Sequence, residues 1–553
     1  MVKLTDDYQQ NAQAFEAAGI AVPQFDQTAM KAATDQKPVW VHFGGGNLFR
    51  CFHAKIAQDL LNSGDLQSGV IVAETYDGDV PKDIYKPYKN RVLQVVMAPD
   101  GSLDKTLIAS VAHAIYYNRD DEFGWQTLKD VFEQPSLQLV TLSITEKGYA
   151  LHDMNGNLTD QAKYDITHGP EVAQTNMGAI ARLLFARYQS GTLPIAMVST
   201  DNFSENGQRF QDGILTIAKG WVDNDYVPQD FVDYLSDPKQ VSFPWSMIDR
   251  ITPNPAQSVA DKLRQEGFED TTIVHTAKHT NIAPFGNTEE THYLVIEDSF
   301  PNGRPALEKA GVMLTDRETV NDADQMKVTA CLNPLHTALA IFGNLLGYTS
   351  IAAEMENKDL VALIKRLGYQ EDLPVVKDPK IINPKEFLDT LLTKRLPNQN
   401  IPDTPQRIAS DTSQKIPVRY GVTIQHYVDQ GGDAVKKLVA IPFILAGWCR
   451  YLLAVNDQGE AFEPSRDPLL KDLQAQLGSL RLGYAGDVHA ALQPILSNKQ
   501  IFGNDLYAIG LGDKVEANFK QLITGPGAVA KALHALNETC GLKSRRCRKK
   551  IDG

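Results

Sequence analysis

Covalent and metal cross-links have little to work with in this chain: it has five cysteines in 553 residues, with no C-x-x-C pair. Cys51, Cys331, Cys449, Cys540 and Cys547 read as reduced thiols rather than a disulfide framework, and structural zinc lacks its usual ligand spacing. Long apolar runs are missing too. The longest, LVAIPFILAGWC at 438–449, contains Pro442 and is closed by Arg450. It falls well short of the roughly 18 residues of a membrane span and predicts a buried helix. The opening MVKLTDDYQQNAQAF carries acids early and no apolar targeting segment, so a cytoplasmic location is expected. Positive charge is in deficit, 54 Lys and Arg against 68 Asp and Glu, a net of −14. Such a field holds a protein to neither nucleic acid nor anionic lipid.

What is present is 43% hydrophobic residues, enough to fill a core and exclude global disorder, over a length that implies at least two domains. No internal repeat appears. In the first half, VWVHF (39–43), VIVA (70–73), LQLVTLSI (137–144) and IAMVS (195–199) are short, nearly continuous apolar runs separated by helical patterns. Strands apolar on both faces suit a parallel sheet covered by helices, so a doubly wound α/β domain is expected. From about residue 320 apolar residues recur at helical spacing and strand patterns become scarce. A mainly helical second domain follows, with the changeover expected in the Pro- and Gly-containing stretch 299–308 and the domains drawn as 1–305 and 306–553. The basic tail KSRRCRKK (543–550) reads as a solvated terminus. His275 and His279 are four apart, with His292 further on, but they lie in a strand-like pattern where that spacing gathers no ligand set; no metal is expected.

Strand 39–43 runs into Gly44-Gly45-Gly46-Asn47, then a helix pattern with Leu48, Phe52, Ile56 and Leu60 four apart. A strand, a glycine turn and a helix start present free N–H groups and a positive dipole end to a pyrophosphate. Gly44, Gly46, Asn47, Phe49 and Arg50 are the candidate contacts, with Phe49 standing where a G-x-G-x-x-G motif has its third glycine. An ordinary βα turn would leave the same trace. The next strand ends at Glu74, followed by Asp77 and Asp79, with no Arg or Lys between 74 and 81. An acid there accepts from ribose hydroxyls and repels a 2′-phosphate, so NAD(H) is expected over NADP(H); a capping or loop role for Glu74 is the alternative. Thr145 and Asn202 follow the third and fourth of these apolar runs and should share the same ligand edge.

The segment DQMKVTACLNPLH (324–336) opens the helical half. Pro334 suits a first helical position and would make Asn333 an N-cap, with Lys327 on a solvated face. A functional reading competes. Asn333 and His336 are three apart at the head of an apolar helix, and a lysine desolvated in a cleft can serve as a base for alcohol oxidation while amides aim N–H at the oxygen.

Five motifs carry a resemblance: HFGGGNLFR (42–50), STDNFSENG (199–207), MIDRITP (247–253), VIEDSFPNGRPALEKAGV (295–312) and MKVTACLNPLHTALA (326–340). The chain resembles the polyol-specific long-chain dehydrogenases, the family of mannitol 2-dehydrogenase, fructuronate reductase and tagaturonate reductase. The resemblance implies a Rossmann-type α/β N-terminal domain, an α-helical C-terminal domain, an active site in the cleft between them and metal-independent hydride transfer. It makes Lys327 the general base, Asn202 and Asn333 polarising amides, His336 an orienting group, and Arg407 and Lys415 contacts to the substrate chain. An Arg407–Asp411–Lys415 salt-bridge ladder is the plainer reading of that last pair. Two features depart from the family pattern. Six steps separate Lys327 from Asn333 where many members have five, and the acid before the lysine is the shorter Asp324. One added residue turns a helix by roughly 100°, so either the helix breaks before Asn333 or the lysine sits on a bulge.

The expected activity is NAD(H)-dependent, reversible reduction of D-fructuronate to D-mannonate, with Arg407, Lys415 or Arg419 facing the sugar-acid carboxylate. Interconversion of mannitol and fructose, or reduction of tagaturonate, are the near alternatives. A catalytically silent NAD-binding sensor is the alternative of another class. The expected partner is a small sugar acid or polyol, with the protein as a monomer or weak homodimer.

Overall fold

The computed structural model describes residues 1–118, 121–153 and 156–548, with side chains to residue 538; the basic tail, Cys540 and Cys547 lie outside the described side chains. The chain divides into two compact units, Met1–Asn321 and Asp322–Gly553.

Unit 1 is built on a parallel six-stranded sheet of β1 (Trp40–Phe43), β2 (Val70–Glu74), β3 (Val111–Tyr116), β4 (Leu139–Leu142), β5 (Ile195–Ser199) and β6 (Val241–Ser242). The strand order is 3-2-1-4-5-6, the doubly wound Rossmann arrangement, with the reversal between β1 and β4. β1, β2, β4 and β5 are buried along their whole length, as their unbroken apolar runs require. One core, with Phe43, Val140, Met197 and Trp221, fills one face of the sheet. A second, with Trp40, Phe52, Val72 and Val198, fills the other. A four-stranded sheet adds Val92–Met97 and Leu103–Ile108.

The stretch 299–308 is not the changeover. It connects β8 (Tyr293–Glu297) to β9 (Met313–Thr315), which pair in parallel beside β7 (Ser246–Asp249), so the chain stays in unit 1 as far as Asn321. The division falls inside the helix Arg317–Met326.

Unit 2 is helical. The apolar run 438–449 becomes the helix Ala440–Tyr451, buried at every position. Among the described residues, four helices of this unit widen into π-turns, at Lys327–Cys331, Leu367–Asp372, Leu391–Arg395 and Pro417–Gly421. A π-turn accommodates one surplus residue and recurs at functional sites. The described residues include no helix long and apolar enough to cross a membrane.

Candidate functional site

In unit 1 the strand ends at the sheet reversal are tied together. Gly44 has φ +106, and a Cβ there would stand 2.3 Å from the carbonyl oxygen of Ser143, so only glycine lets the turn after β1 cross the turn after β4. Gly46 differs. A Cβ there would meet nothing within 4 Å, so open space rather than packing surrounds it. The helix starts at residue 47 and passes through a π-turn, Phe49–His53, before the regular helix Ala54–Ser63. The continuous α-helix read from the four-residue spacing is therefore corrected by one widened turn. Phe49 is fully buried and stacked on His42, ring centroids 4.4 Å apart. Its ring is core, with burial worth roughly 1.5–3 kcal/mol, and it offers a ligand no side-chain surface.

Arg50 is buried as well. It donates to the Ala283 carbonyl (2.5 Å) and to Asn47 Oδ1 (3.3 Å), lies over the Tyr85 ring, and leaves Nε without a partner. A buried guanidinium without a carboxylate at ion-pair distance among the described residues, next to an open glycine turn, fits a nearby anion. The turn therefore fits a pyrophosphate.

Glu74 takes three backbone N–H groups: Gly45 (2.6 Å), Tyr76 (2.9 Å) and Asp77 (3.1 Å). A carboxylate has about four lone-pair positions, so room for one more donor remains. Asp77, placed beside it by sequence, is turned inward. It accepts from the Thr276 and Thr280 hydroxyls at 2.6 and 2.7 Å. Burial raises its pKa, but the two hydroxyls, the Asp79 N–H and the Lys278 charge together bring the net shift downward.

Past β4, Thr145 is exposed and held at φ 65°, ψ 158°, a region that only glycine enters without strain. Asp201, at the end of β5, enforces it. Its carboxylate accepts from Ile144 N (2.9 Å), Thr145 N (2.8 Å) and the Tyr149 hydroxyl (2.8 Å). Burial raises the pKa of Asp201, opposed by those donors. Asn202 follows on the exposed turn. The sequence reading missed Asp201 as the anchor of this edge.

In unit 2, Lys327 is 2% exposed, with Asp324 Oδ1 3.5 Å from its Nζ. It begins the π-turn Lys327–Cys331, and the next helix opens at Asn333. The surplus step between lysine and asparagine is absorbed there. Asn333 is not the N-cap expected from Pro334, because the helix has no side-chain cap and its first residue is Asn333 itself. One turn on, His336 Nε2 stands 4.0 Å from Asp403. Burial lowers the His336 pKa to about 4; Asp403 opposes, and the guanidiniums of Arg395, Arg419 and Arg407 reinforce the lowering. The imidazole is neutral at pH 7.

Arg407 bonds Asp403 through Nε at 2.9 Å and is 70% exposed. Asp403, not Asp411, is its partner, so the ladder through Asp411 does not form; Asp411 sits at φ 55° between two short helices and faces Arg466. Lys415 folds back onto the carbonyls of Ile408 (3.2 Å) and Ser410, and burial, then Arg419, lowers its pKa to about 8. Arg419 donates to Thr337 (2.6 Å). Arg395, on another π-turn, was missed in the sequence because nothing local distinguishes it from a surface arginine. Among the described residues no group of three His, Cys, Asp or Glu gathers to hold a metal.

The sheet order and the glycine turn define a Rossmann-type dinucleotide-binding domain. Comparison gives the particular family. Residues 38–309 match the mannitol dehydrogenase Rossmann domain and residues 320–523 the mannitol dehydrogenase C-terminal domain. The D-mannonate oxidoreductase of Thermotoga maritima is 48% identical over 94% of this chain and 96% of its own. The chain belongs to the mannitol dehydrogenase family and is an oxidoreductase. Two solved structures share the fold. One is a substrate-free D-sorbitol dehydrogenase (23% identity, TM-score 0.76, 93% of this chain and 98% of that one). The other is Pseudomonas fluorescens mannitol 2-dehydrogenase with NAD and D-mannitol (24% identity, TM-score 0.70, 97% and 100%).

Proposed function

We propose that the protein interconverts D-fructuronate and D-mannonate. NAD(H) is the cofactor and supplies or accepts the hydride when bound. The observation that carries the sugar-acid reading is the gathering of Arg395, Arg407 and Arg419 around a neutral His336, with Asp403 opposing them. A neutral polyol has no use for three guanidiniums, whereas a carboxylate accepts paired N–H groups from them. The 48% identical relative named D-mannonate oxidoreductase supports the same substrate.

The same reading assigns the residue roles. Lys327, shielded from water and beside Asp324, exchanges the proton of the substrate oxygen. Asn333 has an amide without a hydrogen bond among the described residues and is assigned to polarise that oxygen, the role also given to Asn202. His336 and Arg407 hold the chain, and Gly46 and Arg50 serve the pyrophosphate.

The test is kcat/KM with NADH for D-fructuronate, D-tagaturonate and D-fructose, in the native protein and in Arg407→Ala. Preference for fructuronate, and a loss in Arg407→Ala confined to the two uronates, is expected. Preference for fructose overturns the sugar-acid reading. NADH binding without turnover of any of the three also overturns it and places the substrate outside this set.

A further inference from the structure

The absence of Lys and Arg between residues 74 and 81 is a property of the sequence, not of the folded strand end. There the structure places Lys278, drawn from the turn that joins the short strands Val274–His275 and Asn281–Ile282. Its ammonium donates to the Tyr76 carbonyl and stands 5.1 Å from the centre of the Tyr76 ring, which is 62% exposed.

The turn carrying Lys278 is fastened. Thr276 and Thr280 both donate to Asp77, Thr280 N donates to Thr276 Oγ1 (3.0 Å), and Thr276 N donates to the Thr280 carbonyl (3.1 Å). His279, at φ 63°, closes it in the left-handed region. The lysine is therefore presented at a fixed place.

The local acids are answered by other partners. Glu74 faces three backbone N–H groups, Asp77 is buried under two threonines with the Lys278 charge also acting on it, and Asp79 stands 3.6 Å from Lys82. Beside this loop, a groove of about 480 Å³ is lined by Gly78, Lys31, Lys82, Lys86 and Lys89 and, among the described residues, by no carboxylate, although Asp35 bonds His113 on its wall. Lys278 thus brings a cation to the end of β2 that the local sequence does not supply.

We propose that the adenosine end of the cofactor site also accepts a 2′-phosphate, with Lys278 as its cation, so that the protein uses NADP(H) as well as NAD(H). The proposal rests on the reading of the glycine turn as a dinucleotide cradle, which puts the adenosine ribose at the end of β2. A lysine ammonium has three donors, and Tyr76 occupies one; two remain for a phosphate carrying most of two negative charges.

Calorimetric titration of the whole protein with 5′-AMP, 2′,5′-ADP and NADH separates the possibilities, using native protein, Lys278→Ala and Lys278→Glu. Lys278 is exposed, and matching melting temperatures would establish that both variants fold. Native protein should bind 2′,5′-ADP at least as tightly as 5′-AMP. Lys278→Glu should weaken 2′,5′-ADP tenfold or more, with 5′-AMP and NADH within twofold, and Lys278→Ala should fall between. The kcat/KM for NADPH should drop in parallel while that for NADH holds. If NADH binds but native protein binds 2′,5′-ADP more weakly than 5′-AMP, or if the variants lower both nucleotides alike, the proposal fails alone. If NADH does not bind, the cradle reading fails and takes the proposal with it.

Discussion

On the proposed reading, the two units prepare for an anionic ligand in opposite ways. Unit 1 uses backbone: strand ends, glycine conformations and N–H groups pinned by buried carboxylates such as Glu74 and Asp201. Unit 2 uses side chains, and three of its four described π-turns each carry a charged residue assigned to the site: Lys327, Arg395 and Arg419. Backbone recognition suits a part common to every turnover, because it needs a chain path and few particular residues. Side chains on widened turns suit the part that varies between relatives, since one substitution alters the ligand read and leaves the fold in place.

The contrast can be broken in graded steps. Lys327→Ala should lower kcat by about 10²–10⁴, the range of a lost acid–base group, while NADH titration gives an unchanged Kd. Unchanged turnover would remove unit 2 from the chemistry. Arg419→Met should lower kcat/KM for fructuronate about 10–100-fold, as expected when about 1.5–3 kcal/mol of charged hydrogen bonding is lost, with fructose little affected. An equal loss for both substrates would assign Arg419 to packing.

Two neighbouring glycines then test unit 1. Gly46→Ala should leave the melting temperature unchanged and raise the NADH Kd about tenfold, because the new methyl enters open space where a phosphate approaches. Gly44→Ala should instead lower the melting temperature by several degrees, since its methyl meets the Ser143 carbonyl at positive φ.

Smaller effects concern pH. The Lys415 ammonium, lowered to about 8 by burial and Arg419, loses its charge as pH rises through that value. KM for fructuronate should therefore climb between pH 7 and 9, KM for fructose should stay flat, and Lys415→Arg should abolish the rise. Glu354 is fully buried with neither carboxyl oxygen bonded, and burial, then Asp403, raises its pKa to about 9. Below the ordinary carboxyl range both folded and unfolded states are protonated. From about pH 4.3 to 9 only the unfolded state ionises, so this group lowers stability as pH rises and adds nothing further above 9. Melting curves of Glu354→Gln should lose that slope.

Legibility followed the same divide. The sheet, the glycine turn and the helical second half were readable because periodicity and glycine chemistry are local. Asn333 and His336 could be marked as a polar pair three apart at the head of an apolar helix, and Lys327 by the motif's resemblance to the family. What stayed hidden depends on distant chain. Lys278 lies some two hundred positions from Tyr76, Arg407 turns to Asp403 although Asp411 is equally four residues away, and Arg395 acquires meaning only beside His336. The domain boundary was misplaced because a proline-rich loop between two paired strands looks like a linker until the pairing is known.

The widened turn at 327–331 also bears on how this chain is aligned with its kin. Counting five places on from the lysine, as in many relatives, lands on Leu332, an apolar residue 7% exposed, and misses the amide altogether. Transplanting a substrate preference into or out of this scaffold therefore means moving the whole bulge as a cassette, because residue-for-residue swaps would shift every later position around the helix by about a quarter turn.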